Sequence, residues 1–219
     1  MNQTSVNLLQ EKDLDQAVEI FLDAFKEEAF TKALLNLSHK KNRDLYFQAI
    51  KYKLSFYLEI GHQVYGALEN GEITGMFILK NPHARCPFNL QLRRLFPNLP
   101  VFARLLPKFL KATHLGTALQ PPNNLPKMPY TLEGLAVHPT RQGKGIGRLL
   151  LEKAELVCFA DNSASGIYLY TGDEKSKNLY RHFNYRILES RPTPTFTAHH
   201  MFKDNIHKYS STRGNTYKK

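Results

Sequence analysis

Apolar residues recur at intervals of three and four in two early parts of the chain, and this spacing predicts amphipathic helices. One helix is expected to start with Asp13 as its N-terminal cap, and the other to follow Asn42 and end at Gly61. The two apolar faces consist of Leu14, Val18, Phe21, Leu22 and Phe25, and of Leu45, Ala49, Ile50, Leu54 and Tyr57. Helices of the same kind are predicted at residues 146–159 and 176–183.

Shorter apolar runs bounded by turn residues predict strands. They cover residues 5–9, 64–68, 73–80, 130–137, 167–170, 185–189 and 195–202. Asn70-Gly71 joins two of these runs and predicts a tight hairpin, because both residues tolerate positive φ. One strand–helix–strand unit in the middle and antiparallel pairs at the edges predict a mixed α/β (α+β) sheet with helices on both faces.

The stretch 81–129 departs from both patterns, because it is rich in proline and in basic residues. Residues 80–129 contain eight Lys and Arg and no Asp or Glu. We interpret the stretch as a helical insertion in a single domain of residues 1–202. The basic tail 203–219 is expected to be solvated and disordered.

Within the insertion, short helices near residues 99–119 are expected to bend at Pro107. Their apolar side is expected to face the core, and it consists of Leu105, Leu106, Phe109 and Leu110. The insertion precedes the central strand 130–137, so it is expected to form a mobile cover over the cleft that admits a substrate.

Net charge, cysteines and hydropathy narrow the classes of function. The formal net charge is +11, and a basic surface attracts nucleic acid, anionic lipid and phosphate-bearing cofactors alike. No nucleic-acid-binding motif occurs, so a nucleic-acid partner is not expected. Residues 1–5 do not begin a secretory signal and no run is long enough to cross a membrane, so we expect a cytoplasmic protein without a membrane partner. Cys86 and Cys158 lack metal-ligand spacing and are expected to be free thiols.

The candidate chemistry lies where the strand at 130–137 leads into the helix at 146–159. Gly143, Gly145 and Gly147 alternate there, and glycine lets successive backbone N–H groups point toward one anion. The N-terminus of the following helix adds the positive end of its dipole. Full positive charges come from Arg141, Lys144 and Arg148. The segment is therefore predicted to bind phosphate.

Two common phosphate-binding motifs do not fit this segment. A Walker A loop ends in Gly-Lys followed by Ser or Thr, whereas Gly143-Lys144 is followed by Gly145. A dinucleotide-binding fingerprint needs a third glycine where this chain has Arg148. The two interpretations left are a binding loop for another phosphate-bearing cofactor and a tight glycine turn without a ligand.

The order Gln142-x-x-Gly145-x-Gly147 resembles the Gln/Arg-x-x-Gly-x-Gly/Ala motif of the GNAT N-acetyltransferases. The strand and turn before the motif are also similar to that family, and they consist of Leu135, Ala136, Val137, His138 and Pro139. The order of predicted elements resembles the GNAT order across most of the chain. The resemblance implies a GNAT-like acyl-CoA N-acyltransferase fold with a central, mostly antiparallel sheet. It also implies direct transfer of the acetyl group of acetyl-CoA to a primary amine.

The resemblance further implies which residues bind acetyl-CoA. In the family, the pantetheine arm pairs with the strand before the loop, and the N–H groups of the loop bind the pyrophosphate. The corresponding residues here are Leu135, Ala136 and Val137 on the strand, and Gln142, Gly143, Lys144, Gly145, Ile146, Gly147 and Arg148 in the loop and helix. Many members carry a cofactor-binding asparagine where this chain has Asp173, and Asn178 is the candidate that replaces it.

Tyr180 is the candidate general acid, because the segment 179–185 resembles the Leu-Tyr-x-x-x-Gly-Phe segment whose tyrosine lies beside the CoA sulfur. A neutral phenol can donate a proton to a leaving thiolate. Asn184 takes the position of the family's glycine and can adopt the same left-handed conformation. The alternative for Tyr180 is an aromatic side chain that only packs against its helix.

Glu133 is the candidate general base, because several GNAT members carry at this strand position a glutamate that acts through water. In a regular strand it shares a face with Leu135, unless the strand is bulged at Gly134. The alternatives for Glu133 are an exposed strand carboxylate and an ion-pair partner for Arg148.

The histidines are expected to be structural. His138 is expected to belong to the turn before Pro139, and His199-His200 to be strand residues on opposite faces, which do not easily bind one metal ion. No metal is expected. Three functions stay open at this stage: an acetyltransferase for a small-molecule amine, a CoA-binding regulatory or interaction module without catalysis, and an acetylase of protein amines. The sequence does not decide the acceptor, or whether the protein is a monomer or a homodimer.

Overall fold

The computed structural model describes residues 4–28, 31–32, 35–111 and 113–205, and seven strands within them form one sheet. The helices are α1 Leu14–Phe25, α2 Lys40–Glu59, α3 Phe88–Lys111, α4 Thr113–Leu119, α5 Ile146–Phe159 and α6 Glu174–His182. The strands are β1 Ser5–Leu8, β2 Gln63–Glu69, β3 Glu72–Lys80, β4 Tyr130–Val137, β5 Gly166–Thr171, β6 Arg186–Pro192 and β7 Thr197–Asp204. The bounds of β4 and α5 are those that the sequence predicts, and the mixed α/β fold is confirmed.

The strand order is β1-β2-β3-β4-β5-β7-β6. Every pair of neighbours is antiparallel except β4 and β5, which are parallel and are joined by α5. The hairpin between β2 and β3 turns at Asn70 and Gly71, whose φ angles are 52° and 84°. Both angles are positive, as the Asn-Gly turn requires.

The sheet separates two apolar cores, and β3 contributes to both because its side chains alternate. Ile73, Met76 and Ile78 join the core beneath α1 and α2. Phe77 and Leu79 join the opposite core, which contains the buried side chains of α5. The central strands are therefore covered on both faces, which explains their nearly continuous apolar sequence.

The predicted end of α2 is confirmed, and α1 begins directly after Asp13 as predicted, but Asp13 does not form the expected side-chain cap. Gly61 has a φ of 89°, and the N–H of His62 donates to the carbonyl of Tyr57 at 2.8 Å, which is the Schellman ending that glycine favours. Asp13 does not cap α1 with its side chain. Its carboxylate accepts instead the backbone N–H of Gln10 at 2.8 Å, because a short 3₁₀ turn over 11–13 precedes the helix.

Residues 88–111 of the insertion form one continuous helix, so the prediction of short helices that meet at Pro107 is wrong. α3 runs through Pro97, Pro100 and Pro107, and these prolines are exposed, so that water can reach the carbonyls they leave without an N–H partner. Leu105 is buried, as expected, and Val101 packs against the same core. Leu106 and Leu110, predicted to face the core, are instead 56% and 60% exposed. The reason is that α3 contacts the rest of the protein through one narrow face, which contains Val101, Phe102 and Leu105.

The last strand lies two residues further along the chain than the predicted 195–202. β7 continues to Asp204, so Lys203 and Asp204 belong to the sheet and not to the tail. Lys203 is held by an ion pair with Glu155 at 2.7 Å. Residues 206–219 lie outside the described residues. The predicted disorder of the tail therefore stays a prediction. Cys86 and Cys158 are free thiols, as predicted.

Candidate active site

The parallel strands β4 and β5 pair only at one end and then separate. Their paired residues are Tyr130 with Ile167 and Thr131 with Tyr168. Among the described strands, none pairs with the β5-facing edge of β4 from Leu132 to Val137. This edge therefore presents backbone N–H and C=O groups that an extended ligand can bind.

A bulge in β4 lies beside this opening, at the place where the sequence analysis allowed for one. Ile78 of β3 pairs with Glu133 and Met76 pairs with Ala136, so two residue steps on β3 match three on β4. Gly134 has a φ of 57°, and a Cβ there would meet the Phe21 ring at 2.7 Å. Only glycine fits such a position without displacing the ring of α1.

A cavity of about 810 Å³ occupies the opening between β4 and β5. Seven of the predicted site residues line it, namely Glu133, Leu135, Ala136, Val137, Gln142, Gly147 and Tyr180. The insertion contributes little to it, since Leu119 alone among its described residues lines the cavity. The prediction that the insertion covers the substrate cleft is therefore wrong for α3, which packs on the outer side of α2.

The glycine loop meets the mouth of the cavity with the geometry of an anion site. Gly143 and Gly145 have φ angles of 77° and 81°, and Gly145 is the N-terminal cap of α5. A Cβ on either glycine would meet no atom within 4 Å, so the space in front of the loop is open. The first N–H groups of α5 have no intrahelical acceptor and point into this space. A phosphate there gains both these donors and the helix dipole.

The remaining predicted cofactor residues do not line the cavity, and all of them are exposed except Ile146, which is buried in the core. Lys144 is exposed, and Arg148 pairs with Glu152 one turn along α5 at 2.7 Å. Arg148 is therefore not the partner of Glu133, and that alternative is wrong. Asn178 is exposed on α6, while its neighbours Leu179 and Tyr180 face the cavity. A contact of Asn178 with the cofactor stays a prediction.

Tyr180 is buried at the end of α6 and lines the cavity. Burial, together with the nearby carboxylate of Asp173, raises the pKa of its phenol. The group is therefore a neutral proton donor at physiological pH. The turn that follows is formed by Asn184, whose φ of 65° confirms the expected left-handed conformation.

Glu133 is only partly exposed and is held by two lysines. Its carboxylate lies 2.8 Å from Nζ of Lys53 on α2 and 3.3 Å from Nζ of Lys80 on β3. Burial alone would raise the pKa of Glu133, but the two ammonium groups outweigh it and lower the pKa. Glu133 is thus an anion with two fixed partners, and not the exposed strand carboxylate that was the other alternative.

Three groups that line the cavity were missed by the sequence analysis. Glu28 accepts hydrogen bonds from the N–H and the hydroxyl of Thr31, at 3.2 and 3.0 Å, and burial raises its pKa. Tyr170 lies near the carboxylates of Glu133 and Glu28. Burial raises the pKa of its phenol, and the two carboxylates raise that pKa further. Lys53 follows Ile50 by three residues on the inward face of α2, and this position was a usable signal. Glu28 and Tyr170 lie in no comparable pattern.

Asp173 and His138, the other polar residues considered as candidates, form local hydrogen bonds that stabilise a helix start and a turn. Asp173 caps α6 by accepting the N–H and the hydroxyl of Ser176, both at 2.8 Å. His138 belongs to the turn after β4, as predicted, since its Nδ1 lies 2.8 Å from the hydroxyl of Thr140. Within the described residues, no group of three or more His, Cys, Asp or Glu is arranged to hold a metal ion.

His199 and His200 contact different elements, as expected for strand residues on opposite faces. His199 lies 2.9 Å from Glu174 of α6 through its Nε2 atom. His200 is buried between the hydroxyl of Tyr168 at 2.7 Å and the carbonyl of Ala118 at 2.8 Å. The second contact ties the end of α4 to β7.

Comparison with known proteins agrees with this geometry. Residues 112–187 match the family described as acetyltransferase (GNAT) domain. No curated protein matches the chain. Among solved structures, the "histone acetyltransferase HPA2 and related acetyltransferase" of Corynebacterium glutamicum is similar with a TM-score of 0.65 and 16% identity, over 93% of this chain and 97% of that one.

Two further structures are similar over 93% of this chain. One is an acetyltransferase of the GNAT family from Staphylococcus aureus, with a TM-score of 0.53, 18% identity and 99% of its own chain covered. The other is a GCN5-related N-acetyltransferase from Rhodopseudomonas palustris, with a TM-score of 0.54, 13% identity and 97% coverage. The family match and the fold together support an acetyltransferase activity. Residues 112–187 therefore match a GNAT acetyltransferase domain, and the described chain adopts the fold of these similar structures.

Proposed function

We propose that the protein transfers the acetyl group of acetyl-CoA to the primary amine of a small, cationic molecule. The observation that supports this most is the opening between β4 and β5, with a glycine loop at its mouth and Tyr180 in its wall. Three features lie next to one another at the opening: an unpaired strand edge, an anion site and a buried proton donor. Acyl transfer from CoA to an amine needs all three.

The chain's own groups fit acetyl-CoA, whose chemical contribution is an activated thioester. The open N–H groups from Gly143 to Arg148 would hold the pyrophosphate, and Lys144 adds positive charge beside them. The free edge of β4 from Leu135 to Val137 would bind the amide-bearing arm in the manner of an added strand. These assignments put the thioester end of the arm on the side of Tyr180.

The cavity also has the character of a site for a cationic amine. Four carboxylates line it, and they belong to Glu27, Glu28, Glu133 and Asp173. Glu133 is already paired with two lysines and Glu27 with Lys32. Glu28, in contrast, forms no ion pair with any described residue, and the aromatic rings of Phe21 and Phe25 lie along the same cavity. A buried carboxylate beside aromatic rings favours an ammonium group.

Glu28 is better suited than Glu133 to accept the proton that the ammonium must lose. Burial raises the pKa of Glu28, which makes its carboxylate a stronger base, whereas Lys53 and Lys80 lower the pKa of Glu133. We assign to Glu133 the task of holding Lys53 in place at the cavity wall. Tyr180, whose phenol stays neutral, would donate its proton to the departing thiolate.

The test is the release of free thiol from acetyl-CoA in the presence of single acceptors. The panel contains a diamine, a polyamine, an aminoglycoside, an uncharged alcohol and a lysine-bearing peptide. We expect thiol release with one or more of the cationic small amines and none with the alcohol. Release with the peptide alone would replace this proposal by a protein acetylase. Tight acetyl-CoA binding in calorimetry without turnover on any acceptor would instead indicate a CoA-binding module.

A further inference from the structure

Helix α3 carries a row of exposed apolar side chains on its outer surface. Seven large ones are at least 38% exposed, namely Phe88, Leu92, Leu95, Phe96, Leu99, Leu106 and Leu110. Their successive spacings are 4, 3, 1, 3, 7 and 4 residues. At about 100° per residue they fall within a sector roughly 100° wide, which is one continuous face of a helix. We call this face the α3 stripe.

The α3 stripe is distinct from the side of α3 that packs on the protein. That side holds the buried Leu105 and the partly buried Val101. Phe102 completes it by packing edge-on against Tyr52 of α2, with ring centroids 5.1 Å apart. The core contacts of α3 are therefore already made, and the stripe has no partner among the described residues. An apolar face of this size on a folded protein marks an interaction surface.

All charged side chains of α3 itself are positive, although Glu59 of α2 pairs with Arg93 and Arg94. The segment 81–129 contains no Asp or Glu, so no acidic side chain of α3 offsets its arginines. Arg93 and Arg104 are eleven residues apart, which places them on one line along the helix, beside the stripe. Arg104 is exposed and forms no ion pair with a described residue, and the side chain of Arg93 is 73% exposed although it contacts Glu59. A partner with anionic groups at the margin of the stripe is therefore favoured, because it can pair with Arg104.

The prolines of α3 indicate that part of the helix stays in contact with water when the partner is bound. Pro97, Pro100 and Pro107 provide no N–H, so the carbonyls of Arg93, Phe96 and Ala103 lack their helical donors. Unpaired carbonyls are costly in hydrocarbon but are satisfied where water and polar head groups are present. No described helix is long and apolar enough to cross a membrane. The helix suits the boundary between lipid and water.

We propose that α3 binds the surface of a membrane that contains anionic lipids. The α3 stripe inserts at the level where acyl chains meet head groups, and Arg93 and Arg104 contact lipid phosphates. A second copy of the chain is a poorer occupant, because two acid-free helices placed face to face bring their cations together. The catalytic cavity stays separate, since none of the stripe residues lines it.

The experiment measures binding of the full-length protein to vesicles by co-sedimentation. One set of vesicles is pure phosphatidylcholine, and the other contains about 30% phosphatidylglycerol to supply anionic charge. The test variant is the double substitution Leu99→Ser with Leu106→Ser. The matched control is Leu8→Ser with Leu156→Ser, which changes two equally exposed leucines on β1 and α5. Arg104→Glu tests the charge by itself.

We expect the wild type and the control to bind the anionic vesicles, and to bind them less well as salt is raised. The stripe variant should bind about tenfold or more weakly. Arg104→Glu should bind about tenfold more weakly, while acetyl-CoA affinity stays unchanged in every variant. Thermal melts confirm that each variant is folded.

Three outcomes would overturn the proposal. The first is equal wild-type binding to neutral and anionic vesicles, or to neither. The second is a stripe variant that binds as well as the control. The third is a concentration-dependent dimer in analytical ultracentrifugation that the stripe variant abolishes in the absence of vesicle binding, which would identify the stripe as a self-association surface. Duplex DNA binding that survives in the stripe variant, without lipid binding, would assign the positive charge to nucleic acid.

Discussion

The side-chain amide of Gln142 donates a hydrogen bond to the backbone carbonyl of Val137, with nitrogen and oxygen 3.2 Å apart. Val137 is the last residue of β4, and Gln142 begins the glycine loop, so the bond closes the turn between strand and helix. The other end of the motif meets the same residue, because a Cβ on Gly147 would touch Val137 at 3.7 Å. The first position of Gln-x-x-Gly-x-Gly thus orients the loop, and the N–H groups of the loop remain free for an anion.

Replacing Gln142 should loosen the loop. In Gln142→Glu a carboxylate cannot donate to the Val137 carbonyl, and it adds negative charge beside the anion site. We expect acetyl-CoA to bind about tenfold more weakly in isothermal titration calorimetry. The control is Gln16→Glu, the same change at an exposed position of α1. Equal weakening in both variants would show that only the net charge matters.

Gly145 should tolerate a side chain poorly for two reasons. Its φ of 81° is a left-handed conformation that side chains disfavour, and any side chain there enters the space in front of the loop. We expect Gly145→Asp to weaken acetyl-CoA binding by about tenfold or more. Gly61→Asp is the matched control, because Gly61 has a φ of 89° and equally open surroundings far from the loop. Unchanged affinity in Gly145→Asp would remove the loop from the cofactor site.

Tyr180→Phe should affect turnover and not binding. Loss of one proton donor is expected to lower kcat by about ten- to a thousandfold, while the affinity for acetyl-CoA is retained. Tyr185→Phe is the control, since its ring packs against that of Tyr180 and its buried hydroxyl has no hydrogen-bond partner among the described residues. Equal kcat for wild type and Tyr180→Phe would leave Tyr180 as a packed aromatic.

The two cavity carboxylates should give different pH profiles. A base must be ionised, so kcat falls as the pH drops through the pKa of that base. The pKa of Glu28 is raised, so Glu28→Gln should remove the acidic limb of the kcat profile and lower kcat by about a hundredfold. The pKa of Glu133 is lowered, so Glu133→Gln should reduce kcat without moving that limb. A limb that moves only in Glu133→Gln would reverse the two roles.

Acid should destabilise the protein through His200. Burial lowers the pKa of His200, so the unfolded chain binds the proton more tightly than the folded chain does. Stability should therefore be unaffected by His200 above pH of about 6.5 and should fall as the pH decreases below that value. We expect the drop in Tm between neutral pH and mildly acidic pH to be smaller in His200→Gln than in wild type. His39→Gln, at an exposed histidine, should show the wild-type drop.

Most elements of the fold could be predicted from the sequence, because each depends on spacing within a few residues. The Asn70-Gly71 turn and the bounds of β4 and α5 are examples, since local φ preferences and side-chain periodicity specify them. α3 was the main failure. Its prolines suggested breaks, but proline's fixed φ is itself helical, and the exposed carbonyls are satisfied by water. Which of its two apolar sides is buried depends on α2, which no local pattern records.

The sequence by itself indicated the resemblance to the GNAT motif and the position of the glycine loop. A strand, a turn, left-handed glycines and a helix N-terminus are adjacent in the chain, so the geometry that binds an anion is nearly complete before tertiary packing. Tertiary structure alone decided which charged groups line the cavity. Glu28, Lys53, Glu133 and Tyr170 come from four separate parts of the chain, and their charges and pKa values depend on the neighbours that folding brings within a few ångströms. Electrostatic interactions act through space and not along the chain, so only the folded protein distinguishes the paired Glu133 from Glu28.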